Sequence, residues 1–179
     1  MDVFKAIANR YSVRGYRPDD IDDATLRKVL EAGRSAPTAA NRQPVRVIVI
    51  RTKGREEELS RVYARRWFTQ APLVLAVIAV PGEAWRRMDG KPYDEVDATI
   101  VMDHMVLAAT ALGLGTCWIA DFDPAAAREV LGLPDDVEPV AFTPLGLPDK
   151  RPSGTGRRPL DELVKNERWQ EAHIDKDST

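Results

Sequence analysis

Hydrophobic and polar positions along the chain change rhythm several times, and each change predicts an element. Val3, Phe4 and Ile7 recur at helical spacing over Asp2 to Asn9. Leu26, Val29 and Leu30 do the same after Asp22 or Asp23, either of which can cap a helix that ends near Gly33. Val45 to Ile50 is dense in Val and Ile and predicts a strand, and Glu56 to Trp67 predicts a helix. Leu73 to Val80 is apolar without alternation, which is the pattern of a strand covered on both faces. Pro81 to Pro92 is polar and irregular around Trp85, as expected of a flap.

Asp94 to Leu112 is the longest predicted helix and from Ala98 onward is apolar nearly all round. Such a helix is buried on every side, and Asp103 and His104 keep it short of the roughly 20 clean apolar residues a membrane span needs. So small a chain has little else to cover it with, which predicts a two-fold dimer. Gly113-Leu114-Gly115 follows the helix and precedes a strand predicted over Thr116 to Ala120. A dinucleotide fingerprint needs strand, glycines and helix in the opposite order, so these glycines are expected to cap the helix and turn the chain. Asp123-Pro124 opens a helix to Leu131 that Gly132 and Pro134 stop, and Val137 to Leu147 is a further strand region. A basic loop over Lys150 to Arg158 leads to a short amphipathic helix or arm from Leu160 to Trp169, with fraying expected after Glu171.

Composition narrows the partners. The 179 residues carry 26 Lys and Arg against 28 Asp and Glu, a net charge of −2. Neither a nucleic-acid face nor a polybasic membrane patch fits that balance, so the expected partner is a small molecule. The length suits one domain, 1–179, with 160–179 as a C-terminal arm. A single cysteine, Cys117, excludes an internal disulfide and a cysteine-cluster metal site within one chain. The opening residues lack the apolar run of a signal peptide, and the expected location is the cytoplasm.

Two loops carry candidate chemistry. Arg10-Tyr11-Ser12-Val13-Arg14-Gly15-Tyr16-Arg17-Pro18 gathers three guanidiniums and hydroxyls beside the end of the first helix. Guanidinium forks match phosphate oxygens bidentately, so the loop is either an anion cradle or a solvated basic turn. Ser35 to Pro44 combines small residues, two amides and two prolines. It either lets backbone approach a ligand closely or merely connects. His104 lacks metal-ligand spacing and is expected to be a satisfied histidine, and Cys117 to be inert packing.

Four stretches then resemble one family. Arg10-Tyr11-Ser12-Val13-Arg14, Ala36-Pro37-Thr38-Ala39-Ala40-Asn41-Arg42-Gln43-Pro44, Ala111-Leu112-Gly113-Leu114-Gly115-Thr116-Cys117-Trp118-Ile119 and Arg157-Arg158-Pro159-Leu160 occur in the order and at the spacings of the nitroreductase superfamily of FMN oxidoreductases. The resemblance implies an α+β fold, an α/β/α sandwich whose mostly antiparallel central sheet is flanked by helices, in an intertwined homodimer with two active sites at its interface.

It also implies roles by position. Arg10, Tyr11, Ser12 and Arg14 fall where the family holds the phosphate and ribityl chain of FMN, with Arg157 or Arg158 joining them. Pro37, Thr38 and Ala39 correspond to the segment one subunit lays against its partner's flavin ring. Asn41 and Gln43 stand where the family keeps amides, either touching flavin or bracing the loop. After Ile119, a backbone N–H of Ala120 or Asp121 is implied to donate to flavin N5. No side chain acts as a nucleophile and no metal is needed. Longer relatives bring a Lys into the pocket, whereas Tyr63 to Phe68 offers Arg65 and Arg66. The implied reaction is ping-pong: NADH or NADPH gives hydride to the flavin, then a nitroaromatic, quinone or enone takes it. The alternatives are a dehalogenating or flavin-cleaving specialist, which in this family carries a longer lid than 81–92, and a non-catalytic flavin-binding protein.

Overall fold

Four strands, β1 (Val45–Arg51), β2 (Leu73–Ala79), β3 (Gly115–Thr116) and β4 (Glu138–Gly146), form one antiparallel sheet in the order β1-β2-β4-β3. They come from a computed structural model that describes residues 1–150 and 156–169. Every residue of β2 is buried, as its unbroken apolar run predicts, because successive side chains of a strand point to opposite faces and both faces here carry helices.

On one face Leu73, Leu75, Val77 and Ala79 pack against Val29 of α2 (Asp23–Arg34) and Val101, Met102 and Met105 of α4 (Asp94–Ala111). On the other, Val74, Ala76 and Ile78 meet Leu59 and Val62 of α3 (Glu56–Val62) and Ala126, Ala127 and Val130 of α5 (Pro124–Leu131). The result is three layers, helix, sheet, helix. A bulge between Val77 and Ile78 falls opposite Pro139, which has no N–H to give the ladder.

The helix ends follow their sequence signals. Asp2 caps α1 (Val3–Asn9) by accepting from Lys5 N–H, Asp22 caps α2 through Thr25 N–H, and Asp123 caps α5 through Ala126 N–H. At the end of α4, Gly113 takes φ 81. Leu114 N–H then bonds the Ala109 carbonyl and Gly113 N–H the Thr110 carbonyl, a left-handed cap that only glycine enters without strain.

Three elements are shorter than the sequence predicts. The helix expected over Glu56 to Trp67 stops at Val62, whose carbonyl accepts Asp123 N–H. Tyr63 turns extended and meets the rings of Trp67 and Phe68 edge-on, both at 5.5 Å. The strand expected over Thr116 to Ala120 ends at Thr116, because Cys117 N–H donates to Thr143 Oγ1 at 3.1 Å instead of to the ladder. Ile119 rejoins the edge through a two-way bond with Phe142. The C-terminal helix α6 covers only Leu160–Leu163. The fraying expected after Glu171, and Arg151 to Thr155 of the basic loop, lie outside the described residues.

The expected flap is a small hairpin closed by an Arg86–Pro92 bridge, with Gly90 at φ 86 in its turn. Its base is held by the Trp85–Tyr93 ring contact at 5.3 Å and by Arg46 on the Glu83 carboxylate. Met88 stands fully exposed at its tip.

Candidate functional site

The arginine loop is built against the short edge strand. Val13 N–H donates to the Thr116 carbonyl at 2.8 Å, Ser12 bridges Thr116 in parallel, and Val13 itself is buried. Gly115 is required at that crossing, since a Cβ there would lie 2.7 Å from Val13 Cγ2. Tyr16, buried, donates its hydroxyl to the Val13 carbonyl at 2.9 Å and so rigidifies the loop from within.

The Val13–Thr116 bond and the Ser12–Thr116 bridge seat the Arg10–Arg14 loop beside Cys117, and its charges act on that thiol. Burial pushes that thiol up, while the Arg14 guanidinium, Ser12 and the Arg10 guanidinium oppose the rise. Arg14 also lies over the Trp67 ring at 5.9 Å, so Trp67 is a wall of this corner. Arg17, Arg34, Arg46 and Arg61 each hold a carboxylate. Arg10 and Arg14 have no carboxylate partner among the described residues.

The chain leaving β4 runs back past this corner. Arg17 N–H bonds the Leu147 carbonyl, Asp149 N–H the Gly15 carbonyl, and Tyr11 Oη the Lys150 carbonyl at 3.2 Å. Arg157 and Arg158 follow, exposed, beyond residues outside the described set.

Further along the same edge, Ile119 opposes Phe142, about 10 Å from Thr116 at roughly 3.3 Å per extended residue. Ala120 and Asp121 come next, exposed, and neither N–H has an acceptor among the described residues. The arginine loop on this edge and the exposed residues after Ile119 therefore present cations and hydroxyls at one end and, farther on, backbone donors with no acceptor among the described residues. That donor set fits a long, thin ligand with an anionic tail and a polar ring edge. FMN has that shape and chemistry.

Pro37, Thr38, Ala39 and Asn41 lie elsewhere. Their loop enters β1 at Val45, opposite Ala79 and hence beside Glu138, whereas Thr116 opposes Leu145 beside Leu73 and Arg51. With seven residues in β1, the two groups stand about 20 Å apart along the strands. The chain does not bring the two predicted halves of the site together by itself.

This second loop is unusual in its backbone. Ala40, Asn41 and Gln43 adopt φ 50, 54 and 53, the left-handed region that costs non-glycine residues conformational energy. Gln43 braces it, its N–H donating to Thr38 Oγ1 at 3.1 Å and its Nε2 to the Asn41 carbonyl at 3.3 Å. An apolar groove of about 330 Å³ lies alongside, between α2, β1 and the loop, lined by Leu30, Ala36, Val45 and Val47 among others.

Asp97 is the residue that sequence reasoning missed. It sits in the first turn of α4, 1% exposed, and its Oδ1 accepts Ala39 N–H at 2.9 Å. A carboxylate just ahead of the apolar stretch that starts at Ala98 was the available signal. His104 is satisfied as expected, its Nδ1–H donating to the Ile100 carbonyl at 3.1 Å. Among the described residues no group of side chains has the makings of a metal site, and no helix is long and apolar enough to cross a membrane.

Comparison with known proteins agrees with this geometry. The profile of the nitroreductase family matches residues 7–66 and 53–147. A nitroreductase family protein of Clostridium difficile has a solved structure that superposes with a TM-score of 0.87 at 37% identity, over 94% of this chain and 100% of that one. An FMN reductase [NAD(P)H] of Bacillus subtilis is 30% identical over 94% of this chain and 74% of its own. An NADH dehydrogenase of Thermus thermophilus is 27% identical over 92% and 95% respectively. With the profile spanning most of the sequence and the three-layer architecture shared, the chain belongs to the nitroreductase family.

Proposed function

We propose that this chain is an FMN-dependent NAD(P)H oxidoreductase that reduces nitroaromatics, quinones or related small acceptors, working in the cytoplasm as a homodimer of single-domain subunits. The observation that carries the reading is the arginine loop seated on the β3 edge, continued past Ile119 by the N–H groups of Ala120 and Asp121, which have no acceptor among the described residues. When bound, FMN supplies a two-electron carrier that accepts hydride from NADH or NADPH and passes it to the oxidant.

The chain's own residues bind and orient. Arg10 and Arg14 offset the charge of a phosphate, close to a dianion, and Arg157 or Arg158 adds to them from the C-terminal side. Tyr11 and Ser12 offer hydroxyls to the phosphate and the sugar-alcohol chain. A backbone N–H of Ala120 or Asp121 donates to the ring at its reacting edge, a role that tolerates any side chain at those positions. Holding the rings in register removes the entropic cost of bringing donor and acceptor together. With one such site, the nicotinamide would have to leave before the oxidant entered, and the kinetics would be ping-pong.

The dimer follows from the separation of the two loops. The Pro37–Asn41 segment covers the ring held by the other copy, with Thr38 and Ala39 against it. Exposed Val3, Phe4 and Ile7 on α1 and exposed Leu160, Leu163 and Trp169 near the C-terminus give the second copy apolar surface to cover.

The test is anaerobic titration of the FMN-supplemented protein with NADPH. Bleaching of the yellow colour, reversed by a quinone or nitroaromatic, is the expected result. Arg14→Ala is expected to weaken FMN binding by about 1.5–3 kcal/mol, the range for a hydrogen bond to a charged group. A protein that stays colourless after supplementation sinks the proposal, and a bound flavin inert to both nicotinamides makes the chain a flavin-binding protein instead.

A further inference from the structure

Asp97 is 1% exposed, and its Oδ2 is buried without a hydrogen-bond partner among the described residues. A carboxylate left half-satisfied in the interior is costly, and an apolar residue of similar size would pack there without that penalty. Fold stability alone therefore does not account for an acid at this position.

What Asp97 holds supplies a reason. Residues 37–42 contain two of the three left-handed non-glycine residues of their loop, and their other hydrogen bonds stay within that loop: Asn41 N–H to the Thr38 carbonyl, Arg42 N–H to the Ala39 carbonyl, and Gln43 N–H and Nε2 to Thr38 and Asn41. Among the described residues, the bond from Ala39 N–H to Asp97 Oδ1, at 2.9 Å, is the one that joins this segment to a helix or strand of the core. The anchor point is rigid, since α4 buries Ala98, Val101 and Met102 in the next turn. Asp97 N–H is itself held by the Tyr93 carbonyl at 2.8 Å.

We propose that Asp97 is a positioning residue: its carboxylate latches Ala39 and so sets the height of the Pro37–Asn41 segment over the flavin ring bound by a second copy. The inference rests on the reading given under Proposed function. A strained segment relaxes when it is not over-determined by its surroundings, and among the described residues one hydrogen bond ties this one to a core helix or strand. Releasing it leaves the arginine corner, at the opposite end of the sheet, untouched.

Three variants test this with the FMN-loaded dimer. Asp97→Ala removes the latch. Asp97→Asn keeps an oxygen that accepts Ala39 N–H. Ala39→Pro removes the donor instead. Thr38 is already extended, at φ −132 and ψ 154, and Ala39 opens a turn, so proline is sterically admissible there. Asp97→Ala is expected to retain FMN at full occupancy, to change the visible circular dichroism of the bound flavin and to raise KM for the nicotinamide donor about tenfold, the effect of losing one buried hydrogen bond, with little change in kcat. Ala39→Pro is expected to change the dichroism in the same way.

Asp97→Asn is expected to restore the wild-type dichroism and KM, and the double variant to be no worse than either single one. Wild-type dichroism and KM in Asp97→Ala overturn the inference, as does an Ala39→Pro protein indistinguishable from wild type. If the Asp97→Ala protein fails to fold, Asp97→Ser, whose hydroxyl is too short to reach Ala39 N–H, takes its place. A wild-type protein that binds no FMN defeats the functional reading instead. In that case the amide exchange of Ala39, slow in wild type and fast in Asp97→Ala, still reports whether the latch exists.

Discussion

Tyr16 donates its hydroxyl proton to the Val13 carbonyl from a position only 6% exposed. Burial raises this phenol far above its ordinary value, and the adjacent Cys117 thiol adds to the rise. The native state therefore keeps a proton that the unfolded chain releases above about pH 10. Its stabilising contribution is complete below that pH and declines as pH climbs further, because the unfolded state there binds fewer protons than the native one. Tyr16→Phe is expected to cost about 1 kcal/mol at neutral pH and to flatten the loss of stability between pH 8 and 11. Urea melts at both pH values measure it, and equal slopes in the two proteins refute it. Single residues also mark the limit of sequence reading. Arg10, Ser12 and Arg14 were legible as a candidate cluster because cations gathered in one short loop need either an anion or solvent. Asp97 was not, because its meaning lies in a contact 58 residues distant that only the packing of α4 against the loop creates.

Elements were legible where the backbone itself carries the signal. The unbroken apolar run of β2, the Asp caps of α1, α2 and α5 and the glycine stop of α4 all appear as the pattern predicts. Misjudged lengths have a common cause in contacts that compete with regular hydrogen bonding. Thr143 Oγ1 takes the Cys117 N–H and ends β3, and Asp123 N–H takes the Val62 carbonyl and ends α3. The crossing of β3 with the arginine loop is the tightest of these joints. A methyl group added at Gly115 meets Val13 Cγ2 at 2.7 Å and Val13 Cβ at 3.0 Å. Gly115→Ala is expected to destabilise by about 1–3 kcal/mol, as overpacking does, and to lower FMN affinity by displacing the segment between Arg10 and Arg14. Thermal melts together with FMN titration test this. Full affinity in a folded Gly115→Ala protein shows that the joint does not govern the corner.

The three-layer molecule was legible as a list of strands and helices, but its arrangement was implied by family resemblance alone, since pairing order is not written in local periodicity. Nor does any local pattern reveal that the arginine corner and the Pro37–Asn41 segment end up at opposite ends of one sheet. That separation has a genetic consequence. In a dimer whose pockets each draw one half from either subunit, an Arg14→Ala chain paired with an Asp97→Ala chain concentrates both lesions in one pocket and leaves the other whole. At limiting FMN and limiting nicotinamide donor, co-refolding the two damaged proteins is then expected to give more activity than the average of the two refolded separately, in proportion to the mixed species seen by sedimentation. Two defects that complement each other across a subunit boundary are the signature of a shared pocket, and a mixture no better than its parts would mean that each chain works alone.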